Sequence, residues 1–258
     1  MQRTITDWGG NIVAYAVMIV LNVLSNALPI NGQSMPEISA RYPSLFTPAG
    51  FTFSIWGVIY LALLVFVVWQ ALPAQRSNGK VAALSVWFKA NCLLNALWIL
   101  VWHYDLLVLS MLIMLCMLVS LVMIYRGLIT SLGTARLSEH LVLYLPFSLY
   151  TGWITVATIA NASILQTAYG LDDALTGAVN WTLLKLALAG AIGASMILRV
   201  RDIPFALVVA WAAFGIAEKQ VENPAVTGAA MALYLLMLIL VAREGIERLM
   251  QNTLKTGD

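Results

Sequence analysis

Charged residues are scarce in this chain: Asp, Glu, Lys and Arg together make up only 10% of its 258 residues. A soluble domain carries about 25% charged residues. Hydrophobic residues reach 61%, and the mean hydropathy of +0.87 is more apolar than a surface facing water permits. The scarcity of charge therefore excludes an ordinary soluble fold and indicates an integral membrane protein whose main partner is the lipid bilayer.

The sequence also lacks the signatures of several functional classes. The net charge is only +2 and there is no basic run, so nucleic acid is not an expected partner. The two cysteines, Cys92 and Cys116, both lie in apolar segments, where they indicate buried small side chains and neither a disulfide framework nor a metal site. Glycine-rich phosphate loops, metal-spaced clusters and Ser/His/Asp sets are absent, which argues against an enzyme.

The sequence does contain a series of apolar segments close to the length that crosses a bilayer, about 20 residues. They predict an all-α integral membrane protein with an eight-helix transmembrane bundle. The seventh segment is the shortest and is bounded by Pro204 and Pro224. The predicted spans are Asn11–Leu28, Phe51–Leu72, Val86–Trp102, Leu106–Tyr125, Leu141–Leu165, Trp181–Leu198, Phe205–Ala217 and Val226–Ala242.

Basic residues are distributed unequally between the two ends of these spans. With eight spans, both termini and the second, fourth and sixth loops share one side, which carries eleven Lys and Arg residues against three on the other. Because cytoplasmic loops carry an excess of Lys and Arg, this asymmetry predicts cytoplasmic N- and C-termini, with the bacterial plasma membrane as the expected location. The proline-rich connection from Pro29 to Gly50 then lies outside as an ordered, irregular lid.

The chain has two histidines, and this topology places them on opposite sides of the membrane. His103 is predicted in the outer loop after span three, and His140 in the inner loop before span five. They therefore cannot jointly ligate one haem iron or metal ion. Single axial ligation remains open, but an interfacial histidine is the simpler interpretation.

The charged residues within the spans lie near span ends. Lys185 and Lys89 are each close enough to an interface for the ammonium group to reach it. Span seven is followed by a short outer loop that contains Glu218, Lys219 and Glu222. Charged residues inside a membrane normally suggest function, but these positions favour interfacial charge, and no buried carboxylate chain suggests a proton relay.

Aromatic and amide side chains form stripes on three predicted helices. Span two carries Trp56 and Tyr60 one turn apart, and helical spacing puts such residues on one face. The longer stripes are Asn91, Asn95, Trp98 and Trp102 in span three, and Tyr150, Trp153, Ala157 and Asn161 in span five. Because an asparagine in hydrocarbon must find a partner, these faces are predicted to point into the bundle.

Two interpretations of the stripes are open. Asparagine and tryptophan could simply hold the helices together. Alternatively, flat rings beside amides on three helices, under one long outer loop, have the composition of a pocket for a flat and largely apolar ligand.

Span six contains small residues at four-residue spacing, including Ala187, Gly190, Ala191 and Ala194. Such spacing allows close helix contact or self-association. A homodimer is therefore among the assemblies that the sequence permits.

The stripes resemble the translocator protein family, also called tryptophan-rich sensory proteins or TspO/MBR, over residues 11–165. The proline-rich loop followed by Trp and Tyr four apart is matched by Pro48, Trp56 and Tyr60 in FTPAGFTFSIWGVIY. The LN-x-x-W pattern is matched in LLNALW, and PY-x-x-W with A-x-x-x-N is matched in LYTGWITVATIAN, where Leu149 replaces the proline. Three motifs in order on the right helices make the resemblance moderately specific.

This resemblance implies a TspO-like five-helix transmembrane domain at residues 1–165, followed by a three-helix transmembrane extension at residues 166–258. It implies a membrane-embedded receptor or sensor that binds a flat hydrophobic molecule such as a tetrapyrrole (porphyrin or haem), with no required cofactor, no catalytic residue and no metal site. The implied ligand-binding residues are Trp56, Tyr60, Asn91, Asn95, Trp98, Tyr150, Trp153, Ala157 and Asn161.

Two other functions remain open at this stage. The extra helices could make the chain a small-molecule transporter or carrier, although the spans contain little pairing of acidic with basic residues and no clear inverted repeat. The aromatic faces could instead bind other helices in a structural or regulatory membrane subunit.

Overall fold

The computed structural model describes residues 3–28, 30–33, 37–38, 41–129, 137–172 and 176–256, and within those ranges it contains helices and no β-strand. The prediction of an all-α fold is confirmed. Eight of the helices have 17 residues or more. They are α1 (Ile5–Ala27), α2 (Ile55–Ala71), α3 (Gly79–His103), α4 (Leu107–Ile129), α5 (Leu145–Ala168), α6 (Ala178–Ser195), α7 (Ile203–Lys219) and α8 (Pro224–Thr256).

Seven of the described helices are long and apolar enough to cross a membrane, which makes the chain a multi-pass integral membrane protein. The remaining long helix is α7, with 17 residues. A helix of this length extends about 25 Å, somewhat less than the ~30 Å hydrocarbon core. The seventh predicted span therefore does form a helix where expected, and its crossing of the membrane stays a prediction.

Several helices extend beyond the apolar segments that predicted them, because polar side chains stabilise their ends. The Asn78 side chain accepts hydrogen bonds from the backbone N–H groups of Lys80 and Val81, so α3 begins seven residues before Val86. At the other end of the chain, α8 continues past Ala242. Ion pairs four residues apart stabilise this charged part of the helix, and they are Arg243–Glu247 and Arg248–Glu244.

This lengthening changes the placement of the first histidine. His103 is the last residue of α3 and is fully buried, with Nδ1 2.7 Å from the carbonyl oxygen of Ile99. Its predicted place in the outer loop is wrong, because the helix continues one residue past the apolar segment. His140 opens a π-helical turn, His140–Tyr144, that leads into α5.

The last three helices pack onto the first five mainly through α7, which lies against α5, α6 and α8. Gly152 of α5 allows close approach, since a Cβ there would lie 3.2 Å from Val208 Cβ and 3.4 Å from the Phe205 carbonyl oxygen. One cluster of buried apolar side chains runs through both parts of the chain. The division into domains at residues 1–165 and 166–258 stays a prediction.

The small residues of the sixth predicted span partly serve contacts inside the chain. A Cβ on Gly190 would lie 2.9 Å from Leu233 Cδ1 of α8, and one on Gly193 would lie 2.9 Å from Met237 Sδ. These glycines therefore let α6 and α8 pack closely. Ala187 of the same stripe is exposed, and the homodimer stays a prediction.

A buried carboxylate at the start of α7 connects three helices. Asp202 accepts hydrogen bonds from Ser148 Oγ of α5 at 2.5 Å, from the Phe205 backbone N–H at 3.0 Å and from the Tyr125 hydroxyl of α4. It is the N-cap of α7 and only 8% exposed. Hydropathy did not single it out, because it lies between two apolar segments.

The end of the proline-rich connection is held against α7. The Ala49 N–H donates to the Gly215 carbonyl oxygen at 2.9 Å, and Trp211 Nε1 donates to the Thr52 carbonyl oxygen at 2.9 Å. The ring of Phe51 lies edge-on to Trp211, with centroids 5.4 Å apart. A helix from the C-terminal part thus fixes a loop from the N-terminal part.

Replacing Gly215 with alanine is expected to lower the stability by about 1–3 kcal/mol, because of overpacking. A Cβ there would overlap Thr52 Oγ1 and lie 3.0 Å from Thr52 Cβ, and Thr52 is fully buried. Thermal unfolding of the detergent-solubilised protein measures the change.

The matched control is Gly228→Ala in α8, where a Cβ meets nothing within 4 Å. That variant should unfold at the same temperature or slightly above, since alanine favours a helix over glycine. Equal unfolding temperatures for Gly215→Ala and the unmodified protein would contradict the close contact between Thr52 and α7.

Candidate ligand-binding cavity

A cavity of about 510 Å³ lies among the helices, with the end of the proline-rich connection forming part of its wall. This volume falls within the range of small-molecule sites, about 300–1,000 Å³. Its aromatic lining residues are Phe53, Trp56, Tyr60, Trp98, Trp102 and Trp153. The others are Asn22, Thr47, Pro48, Gly50, Ile99, Met114, Val156, Ala157, Ala160, Asn161, Ile164 and Lys219.

The aromatic wall consists of two stacked pairs and the ring of Trp153. Trp56 and Tyr60 of α2 have ring centroids 5.2 Å apart and an interplanar angle of 23°. Trp98 and Trp102 of α3 have centroids 5.4 Å apart at 20°. The ring of Trp153 on α5 meets Trp56 edge-on, at 6.2 Å and 84°. A helical spacing of four residues produces both pairs, and their ring faces suit a flat aromatic molecule.

A continuous chain of hydrogen bonds links four helices beside this wall. The Tyr60 hydroxyl donates to Asn22 Oδ1, Asn22 Nδ2 donates to Asn95 Oδ1, and Asn95 Nδ2 donates to the Tyr150 hydroxyl, each at 2.8 Å. Asn95 and Tyr150 are each 1% exposed and do not line the cavity. They support Tyr60 and Asn22, which do.

Asn91, the first residue of the stripe on α3, forms hydrogen bonds with α4. Its Nδ2 donates to Ser120 Oγ at 2.8 Å and to the Met117 carbonyl oxygen at 3.2 Å, both on α4. Asn91 therefore joins α3 to α4 and does not line the cavity. Six of the nine predicted residues do, and they are Trp56, Tyr60, Trp98, Trp153, Ala157 and Asn161.

The α5 side of the cavity combines a small residue with an amide. Ala157 leaves space between the rings, and Asn161 follows one turn later. Within the described part of the chain, Asn161 pairs with Ser110 Oγ, at 3.3 Å from both Nδ2 and Oδ1. Two long contacts to one hydroxyl leave the amide able to bind a ligand group.

Three indole N–H groups of the aromatic wall have no acceptor among the described residues. They belong to Trp98, Trp102 and Trp153, and each of these nitrogens is buried. A buried tryptophan N–H usually has a partner, and leaving it unpaired costs about 1–3 kcal/mol. The wall is therefore short of hydrogen-bond acceptors.

Other lining residues were not predicted from the sequence. Trp102 belongs to the α3 stripe but is not among the implied ligand-binding residues, and Asn22 lies on α1, where no stripe is predicted. The sequence predicts Lys219 only as a charge in the short loop after span seven, and it lines the cavity because α7 packs against α5.

Comparison with known proteins identifies the family. The model of the family described as TSPO-like protein matches residues 7–243. The match runs from α1 into α8, so it extends well beyond the five helices in which the sequence motifs lie. No curated protein and no solved structure gives a significant match. Since the family model covers most of the chain, this protein belongs to the TSPO-like protein family.

Proposed function

We propose that this chain is a receptor- or sensor-type membrane protein that binds a flat hydrophobic small molecule, of the tetrapyrrole type, in the cavity described above. The observation that carries the proposal is the pair of stacked ring systems, Trp56 with Tyr60 and Trp98 with Trp102, facing a space of about 510 Å³. Membership of the TSPO-like family supports a receptor or sensor type of function in general.

The membrane environment decides which contacts give affinity. A tetrapyrrole dissolved in the bilayer is already out of water, so moving it into an apolar cavity gains little from the hydrophobic effect. Ring stacking, worth about 0.5–1.5 kcal/mol per aromatic pair, and hydrogen bonds must supply the difference. Trp56, Trp98 and Trp153 supply the rings, Ala157 leaves room for the ligand, and Asn161 fixes its orientation.

Binding without catalysis is the function that this lining supports. Its described residues include no carboxylate, histidine or cysteine, and carboxylates and histidine are the side chains that most often act as general acids or bases. We propose that porphyrin or haem is a ligand of this site and that the protein requires no cofactor.

Replacing both Trp56 and Trp153 with alanine should weaken protoporphyrin binding about fivefold to a hundredfold, because the loss of two ring contacts costs about 1–3 kcal/mol. Titration of the purified protein, followed by quenching of the remaining tryptophans and by porphyrin absorbance, measures the affinity.

The control is Trp87→Ala, which removes a partly exposed indole that does not line the cavity and should leave the affinity unchanged. The double variant must elute as a single species like the unmodified protein. Unchanged affinity in a folded Trp56→Ala, Trp153→Ala variant would remove the basis for this site.

We further propose that all eight long helices cross the membrane, with both termini in the cytoplasm of a bacterial cell. The eleven-to-three distribution of basic residues supports this orientation. The α7 helix, although short, lies within the normal range of about 17–25 residues for a crossing helix. If α7 did not cross, Glu222 and Arg201 would lie on the same side of the membrane.

Single cysteines test this topology in a variant that carries Cys116→Ser. Glu222→Cys, in the turn after α7, should react with a membrane-impermeant maleimide in intact cells. Ser77→Cys, in the connection between α2 and α3, should react only after the membrane is permeabilised. Reaction of Glu222→Cys only after permeabilisation would show that α7 does not cross.

A further inference from the structure

The charge on the described cavity lining is positive. Lys219 is the one cationic residue of the described lining, which contains no Asp or Glu. This lysine ends α7, lines the cavity and is exposed, so its side chain lies at the rim. Among the described residues, no carboxylate lies within 4.0 Å of its ammonium.

The polar groups around the aromatic wall include several that can only donate hydrogen bonds. The indole N–H groups of Trp98, Trp102 and Trp153 have no acceptor in the described chain, and these residues are 7%, 4% and 2% exposed. An ammonium and an indole N–H have no acceptor capacity. The three indole nitrogens are buried, whereas Lys219 is exposed, so a ligand with an acceptor oxygen at the rim can pair with the ammonium and a pure hydrocarbon cannot.

Lys219 differs from the other lysine at the outer end of the bundle. Lys185 of α6 is also partly exposed, but its Nζ donates to Gln166 Oε1 at 2.6 Å. Lys219 is not hydrogen-bonded to any side chain that the structure describes, and it lines the cavity whereas Lys185 does not. The two residues therefore form a natural pair for comparison, with the same charge and only one of them beside the site.

We propose that Lys219 makes this cavity selective for ligands with a carboxylate at the edge of a flat ring system. The ring packs among the aromatic pairs, and the carboxylate lies at the rim, where it forms a charge-assisted hydrogen bond with the ammonium. This inference rests on the proposed function of the cavity. It adds the chemical class of the ligand and a specificity-determining residue from the C-terminal part of the chain.

A purely structural role for Lys219 makes a different prediction. A lysine in the last turn of a helix interacts favourably with the negative end of the helix dipole, and its long side chain can extend to the interface. Both effects act on the stability of α7. Neither one distinguishes a charged ligand from a neutral ligand of the same shape, so ligand selectivity separates the two roles.

The experiment compares protoporphyrin, which has two carboxylates, with its dimethyl ester, which has the same ring and no charge. Affinities are measured for the unmodified protein, Lys219→Met, Lys219→Arg and Lys185→Met. Lys219→Met should weaken binding of the diacid about fivefold to tenfold and leave the ester within about twofold. Lys219→Arg should keep the preference for the diacid, and Lys185→Met should change neither affinity.

Each ligand also partitions into the detergent, which lowers its apparent affinity. Because this effect is the same for both proteins, it cancels when the change in affinity on mutation is compared between the two ligands. The preference for the diacid should also decrease as salt is raised, since Lys219 is at the rim and is screened. If Lys219→Met leaves both affinities unchanged or weakens both ligands equally, the selectivity assigned to Lys219 is overturned.

The proposed function has a separate readout. If the ester binds the unmodified protein and Trp56→Ala with Trp153→Ala weakens it, the cavity is a ligand site whatever Lys219 does. If neither porphyrin binds the unmodified protein, the proposed function and the role of Lys219 are both overturned.

Discussion

A polar side chain in hydrocarbon must find its hydrogen-bond partner inside the bundle, and the arrangement of helices around the cavity depends on one set of such partners. The chain from Tyr60 through Asn22 and Asn95 to Tyr150 joins α1, α2, α3 and α5. Because each amide has a specific partner on another helix, the rotation of each helix about its axis is restricted. The stacked rings of α2 and α3 then face the same space.

The last three helices contribute to this site through α7. Its start is tied to α4 and α5 by Asp202, and its middle holds the segment around Thr52 through a backbone and an indole hydrogen bond. Its end brings Lys219 to the rim of the cavity. The match of the family model over residues 7–243 agrees with a unit in which these helices take part.

The spacing of aromatic and amide residues predicted faces that point into the bundle, and Trp56, Trp98 and Asn161 of those faces line the cavity. Their binding of a ligand stays a prediction. Asn91 shows the limit of such an argument. Periodicity places it on the same inward face as Asn95, but α4 packs beside α3 at that level and accepts its hydrogen bonds through Ser120. Spacing along one helix identifies a buried face and leaves open which neighbouring helix covers each turn of it.

The sequence by itself determined that this is a helical membrane protein, because charge is scarce and apolar segments approach spanning length. It also determined which faces turn inward, because asparagines and rings recur at helical spacing. The tertiary structure decided the helix ends, such as His103, and the partner of each amide. It alone brought Lys219 to the cavity that Trp98 and Asn161 line, since the packing of helices that are far apart in the sequence leaves no local pattern.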